Sequence, residues 1–215
     1  MSQPDERSRY YNELAGSSLH RLSGLSDGIF AVGMTLLVLT LAVPTMREVK
    51  GDSDLWQALL NLMPSLVTYF MSFLTLGIFW VGQQTQLSQL ERSNRDYTWI
   101  NLAFLLFVTL VPFSTNLLAN FYLSKLALIE YWLNILVLGA LILTAAEYAA
   151  RAGLLNEANQ GMILRAVRRR VYIAQSLYLL ATLLCVIDTR LSIGLIVGIQ
   201  LNYAIAPRIP FLHRL

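Results

Sequence analysis

The sequence predicts an all-α integral membrane protein, a bundle of six membrane-spanning helices, and three observations carry that prediction. Of its 215 residues, 56% are hydrophobic and only 13% charged, too few polar groups to cover a water-soluble domain. Charge-poor stretches close to the ~20 residues with which a helix crosses ~30 Å of hydrocarbon recur along the whole chain. The basic residues are also unevenly placed. With six spans and a cytoplasmic N-terminus, 12 of the 16 Lys and Arg fall in cytoplasmic segments, leaving Arg47, Lys50, Lys125 and Arg190 outside. That bias is the positive-inside rule, and it places both termini in the cytoplasm of a multi-pass protein of the cell membrane.

The elements follow in order. Residues 1–22 mix acids and bases and lack the apolar centre and small-residue cleavage site of a signal peptide, so they read as a short cytoplasmic N-terminus. The six-helix domain covers 23–206. Its first span runs Ser23–Val43 and stops at Pro44, before a polar loop that turns at Gly51. The second covers Leu55–Val81, with Pro64 expected to kink it, and the polar run GQQTQLSQLERSNRD follows as a loop. The third, Trp99–Leu118, carries Pro112, and the fourth covers Leu126–Ala146. Glu147 and Arg151, four residues apart, are expected to pair at its end. Residues 151–170 form the longest linker, whose Arg168, Arg169 and Arg170 are expected to anchor lipid headgroups before the fifth span, Val171–Ile187. The sixth, Leu191–Ala206, ends at Pro207, and 207–215 are a cytoplasmic C-terminus.

Enzyme chemistry has little to stand on. His20 and His213 lie at opposite ends of the chain, and no triad or metal-ligand spacing occurs, so no metal centre or cofactor is expected. Cys185 lies inside an apolar run and reads as a core residue with no disulfide partner. The net charge of +3 is explained by topology, which removes the reason to invoke nucleic acid. A Thr-Val-Gly-Tyr-Gly filter is absent, so potassium selectivity, if present, does not come from the usual backbone-carbonyl cage.

The stretch HRLSGLSDGIFAVGMTLLVLTLAVP contains Arg21-x-x-x-Leu25-Ser26-Asp27. It resembles the Arg-x-x-x-Phe-Ser-Asp signature of the bacterial transmembrane protein 175 potassium channels, with Leu25 in place of Phe. SFLTLGIFWVGQQTQL around Trp80 and WINLAFLLFVTLVPFSTNLL from Trp99 are similar to the same family in order and spacing. Gln83 and Gln84 stand where that family commonly has histidine. The resemblance implies a channel that passes K+ and other monovalent cations, with six helices per repeat and helix 1 of four repeats lining the pore. One repeat is present here, so it implies a homotetramer, and cyclic symmetry then builds a pore from identical faces. Membrane lipids are the other expected partner.

Val32, Leu36 and Leu39 share one stripe of helix 1. In the family the matching positions are hydrophobic pore constrictions, which gate by dewetting; by periodicity alone the stripe would equally face lipid or a neighbouring helix. Thr35 matches a position associated with preference for potassium over sodium, and the bland alternative is a hydroxyl bonded back to the carbonyl of Ala31. Arg21 and Asp27 are six residues apart and do not face each other on one helix. Each is expected to bond across to other helices, with Ser26, Trp80, Trp99 and Asn101 as partners, in a clamp at the inner mouth rather than an ion site. Asp27 is further expected to gain from the helix dipole. Glu130 is expected at headgroup level, and Asn116, Asn134, Gln175 and Asn202 as interhelical hydrogen-bonders. A secondary transporter of a cation or small solute is the alternative function. Transporters usually show duplicated halves with matched helix breaks, and Pro64 and Pro112 do not match in that way.

Overall fold

The computed structural model describes residues 18–45, 50–155 and 160–205; the expected cytoplasmic tails therefore lie almost wholly outside the described residues. Seven α-helices occur among those described: α1 (Leu19–Leu36), α2 (Asp52–Asn61), α3 (Met63–Leu87), α4 (Arg95–Asn120), α5 (Lys125–Arg151), α6 (Gln160–Leu183) and α7 (Thr189–Ile205). Helix α1 runs on into a 3-10 turn, Leu37–Thr40, and a second such turn, Leu184–Val186, follows α6. No strand is found among the described residues. α1, α3, α4 and α5 are long and apolar enough to cross a membrane, and α6 and α7 pack beside them, so the protein is an all-α membrane bundle.

Several boundaries differ from those expected, each for a local reason. Helix α1 begins four residues before Ser23 because Ser18 caps it, its Oγ accepting the Arg21 N–H at 3.3 Å. The second span is two helices, parted at Leu62. Pro64 lies in the first turn of α3, where its missing N–H costs nothing, and it starts a helix instead of kinking one. The run GQQTQL, expected as loop, completes α3, because Gln86 turns inward and donates to the Ile142 carbonyl at 3.4 Å. Helix α4 starts at Arg95, where the Asn94 side chain accepts the Tyr97 N–H at 2.9 Å. Most of the expected 151–170 linker is the first part of α6, and its arginines and aliphatic residues are good helix formers.

Helices α4 and α5 form the centre of the bundle. One apolar core joins α1 to them through α3, with Phe30, Leu37, Leu76, Phe104 and Leu138 buried. A second, around Leu118, Leu128, Tyr131, Tyr178 and Ile193, ties α6 and α7 to α3, α4 and α5, and free Cys185 is buried in it as expected. A third closes the end of the bundle at which α1 begins, called here the proximal end. There the loops after α3 and α5 meet, with the Glu91 N–H donating to the Leu154 carbonyl at 3.0 Å. Gly153 turns the chain out of α5 at φ 63°, a backbone region that side-chain-bearing residues rarely adopt.

Candidate pore helix and its anchoring

Helix α1 is packed on one face only. Leu22, Ser26, Phe30, Gly33 and Leu37 are buried against the bundle. On the other side Val32, Leu36 and Leu39 are 57%, 43% and 75% exposed, with Thr35 also exposed among them. The 3-10 turn aligns this stripe. At ~100° per residue in an α-helix and ~120° in a 3-10 helix, the three apolar side chains fall within about 40° of one another, at intervals of about 6 Å along the axis. Thr35 Oγ1 donates to the Val32 carbonyl at 2.8 Å, three residues back, where the bland alternative named Ala31, four back. The hydroxyl proton is thus committed to the backbone.

The proximal half of α1 is anchored to α3 by Asp27. Its Oδ1 accepts from Trp80 Nε1 at 2.8 Å and from Gln84 Nε2 at 2.6 Å, and Ser23 Oγ donates to Gln84 Oε1 at 3.2 Å. Hydrogen bonds to a carboxylate are the strong kind. Of the six residues expected in one inner-mouth network, the structure joins only Asp27 and Trp80. Asn101 is buried in a separate group, accepting from Gln83 Nε2 at 3.2 Å and donating to the Tyr97 carbonyl at 3.0 Å. Ser26 is buried, and its hydroxyl has no partner among the described residues. Trp99 is 60% exposed, and Arg21, on the first turn of α1, makes no side-chain bond or ion pair among the described residues. Because α1 starts at Leu19, Asp27 sits in its third turn, beyond the reach of the dipole effect that was expected to favour it.

Gln84 was not singled out as a partner of Asp27, although its place four residues after Trp80 puts both donors on one face of α3. A second group, for which the sequence analysis named no residue, lies inside the bundle. Thr115 Oγ1 donates to Ser72 Oγ at 2.6 Å, Ser72 Oγ donates to Tyr131 Oη at 3.2 Å, and Tyr131 lies 2.9 Å from Thr75, which accepts from Gln200 Nε2 at 2.7 Å. All five residues are buried, and they join α3, α4, α5 and α7 where no water competes. Their signal was polar residues at helical spacing inside apolar spans, which marks Ser72 and Thr75.

The remaining polar residues are structural. Asn134 donates to Ser114, which donates to Glu130, so Glu130 sits between α4 and α5. Gln175 reaches the Ile135 carbonyl across α5, passing directly over Gly139, while Asn116 bonds within its own helix to Asn120. Glu147 pairs with Arg151 at 3.4 Å, as expected, and also with Arg168 at 3.0 Å. Both pairs are exposed and contribute little.

Comparison with known proteins gives this chain a family. Residues 21–112 match the family described as endosomal/lysosomal potassium channel TMEM175. A potassium channel of Chamaesiphon minutus is 30% identical over 193 residues, which cover 88% of this chain and 95% of that one. The chain belongs to the TMEM175 family. Another relative, a potassium channel of Streptomyces collinus, is 39% identical over 101 residues, an alignment spanning 47% of this chain and 48% of that one. The crystal structure of a lysosomal potassium-selective channel TMEM175 homologue from Chamaesiphon minutus superposes with a TM-score of 0.76 at 28% identity, covering 87% of this chain and 97% of that one.

Proposed function

We propose that four copies of this chain assemble around one axis and form a channel that passes K+ passively, with α1 of each subunit lining the pore. The observation that carries the reading is the bare stripe of α1, present in a family whose bacterial relatives are named potassium channels. Among the described residues Val32, Leu36 and Leu39 stay largely uncovered, and a four-fold axis beside α1 turns them into three stacked apolar rings. Rings of this kind control conduction by expelling water, so the barrier depends on side-chain size and polarity. Thr35, between the first two rings, offers an oxygen to a partly dehydrated K+. Other monovalent cations pass less readily.

Asp27, Trp80 and Gln84 hold α1 at a fixed angle on α3 and act as a clamp outside the ion path, with Arg21 at the inner mouth. Among the described residues, Arg21, Arg92, Arg95, Arg151, Arg165, Arg168, Arg169 and Arg170 belong to the proximal end, and Lys50, Lys125 and Arg190 to the other. The positive-inside rule therefore puts the proximal end and both termini in the cytoplasm of the cell membrane. The experiment is flux from liposomes holding the purified protein, under a K+ gradient and then a Na+ gradient, with the oligomer mass measured alongside. Passive dissipation, faster for K+, by a tetramer is the expected result; stoichiometric exchange, or a monomer with full activity, overturns it.

A further inference from the structure

Away from α1, the proximal half of the bundle holds a slot of about 280 Å³ where α3 and α6 face each other, floored by α5 and closed on one side by Tyr203 of α7. Its walls are almost wholly apolar, with Ile78, Phe79, Ile142, Val171 and Ala174 among them. The one ionic group in the wall is Arg170. Arg168, two residues earlier, is neutralised by Glu147 at 3.0 Å, whereas Arg170 has no acidic partner among the described residues. Along α6 the lining runs from Ile163 to Tyr178 with Arg170 about midway, and from Arg170 to Tyr178 is eight residues, or about 12 Å. One leaflet of a ~30 Å hydrocarbon core is ~15 Å deep. An apolar slot whose length beyond Arg170 is close to one leaflet, with a guanidinium that has no acidic partner among the described residues, has the form of a lipid site: a tail against the walls toward Tyr178 and an anion on Arg170.

We propose that this slot binds an anionic phospholipid of the arginine-side leaflet, with its phosphate on Arg170 and one acyl chain between α3 and α6. A guanidinium pairs with phosphate through parallel N–H···O bonds, and basic pockets between transmembrane helices on the cytoplasmic side select anionic lipids in this way. Without a tail in place, the slot would have to hold water against apolar walls or collapse. The lipid thus completes the packing of α6, the helix that lies farthest from α1 in the order of contacts.

The test is native mass spectrometry of the full-length protein in mild detergent, titrated with phosphatidylglycerol and separately with phosphatidylcholine. It reads lipid binding without reference to ion flux, so failure of the channel reading would leave it intact. Wild type should retain about one phosphatidylglycerol per subunit, in preference to phosphatidylcholine. Arg170→Gln should weaken phosphatidylglycerol about fivefold, the size of one basic contact to an anionic surface. Arg170→Lys should restore most of that, and Arg165→Gln, outside the slot wall, should change nothing. Ala174→Phe, which fills the slot, should abolish retention of both lipids, with Ala166→Phe as a second filling variant should the first not fold. Equal retention of the two lipids, no lipid on wild type, equal losses from Arg165→Gln and Arg170→Gln, or filling variants that bind as wild type does would each overturn the proposal.

Discussion

Shortening Leu36 separates the two roles that an apolar stripe can have. In a fully packed core, Leu→Ala costs about 2–5 kcal/mol. Leu36 is 43% exposed in the subunit, so little more than half of its surface is packed, and the intrasubunit loss for Leu36→Ala scales to about 1–3 kcal/mol. The protein should therefore still fold and assemble. In a pore, the same change removes three carbons from each of four side chains at one level and widens the ring. Each 1.4 kcal/mol taken off the dewetting barrier raises flux about tenfold. The assay is K+ flux from liposomes, normalised to the amount of intact tetramer, with thermal unfolding measured in parallel. Flux per tetramer should rise about tenfold or more in Leu36→Ala and further in Leu36→Asn, whose amide also wets the ring. Unchanged or lower flux per tetramer in alanine variants of all of Val32, Leu36 and Leu39 would refute the placement of the pore on α1.

Three further outcomes follow from the same geometry. Thr35→Ala should keep the current and lower the K+ to Na+ permeability ratio severalfold in reversal-potential measurements, because it removes the only hydroxyl in the stripe between Val32 and Leu36. Asp27→Ala should strand the Trp80 and Gln84 donors and weaken the α1–α3 anchor by about 1.5–3 kcal/mol, read as loss of assembled tetramer with ion preference little changed in what remains. Asp27→Asn should fall between the two, since an amide oxygen still accepts. Tyr131→Phe should cost about 1–3 kcal/mol in thermal or denaturant unfolding, because it deletes the hydroxyl that links Ser72 and Thr75 at a site closed to water; loss of flux without loss of stability would contradict its structural assignment.

Much of the protein was legible in the chain because a membrane makes a simple demand: backbone polar groups must be satisfied within helices, and the side chains around them must be apolar. Length, charge placement and apolar runs therefore pointed to an all-α membrane bundle without reference to contacts, although of the six expected spans α1, α3, α4 and α5 are the ones long and apolar enough to cross a membrane among the described residues. The Arg21, Ser26 and Asp27 signature, with Trp80 and Trp99 at family spacing, likewise pointed to the right family from local pattern alone. Boundaries were harder. A proline is a strong signal, yet whether Pro64 kinks a helix or starts one depends on whether Leu62 leaves the helix before it, and α3 ran on through GQQTQL because Gln86 had a carbonyl to reach on α5. Arginine-rich sequence between spans reads as linker by hydropathy and as helix by propensity, and α6 followed propensity.

Which polar groups meet was decided only in three dimensions. Six residues could be nominated for one inner-mouth network, but a hydrogen bond spans about 3 Å while helix packing leaves neighbouring axes 8–10 Å apart, so rotations of a few tens of degrees choose the partners. Those rotations gave Asp27 to Trp80 and Gln84, gave Asn101 to Gln83, and left Trp99 on the surface. The sequence by itself determined that this is an all-α membrane protein of the TMEM175 kind, because solvent and spacing act locally along the chain. The tertiary structure alone decided that α1 shows a bare face, that five buried hydroxyl and amide groups lock α3, α4, α5 and α7, and that a slot opens beside Arg170, because each depends on how helices distant in sequence are turned against one another.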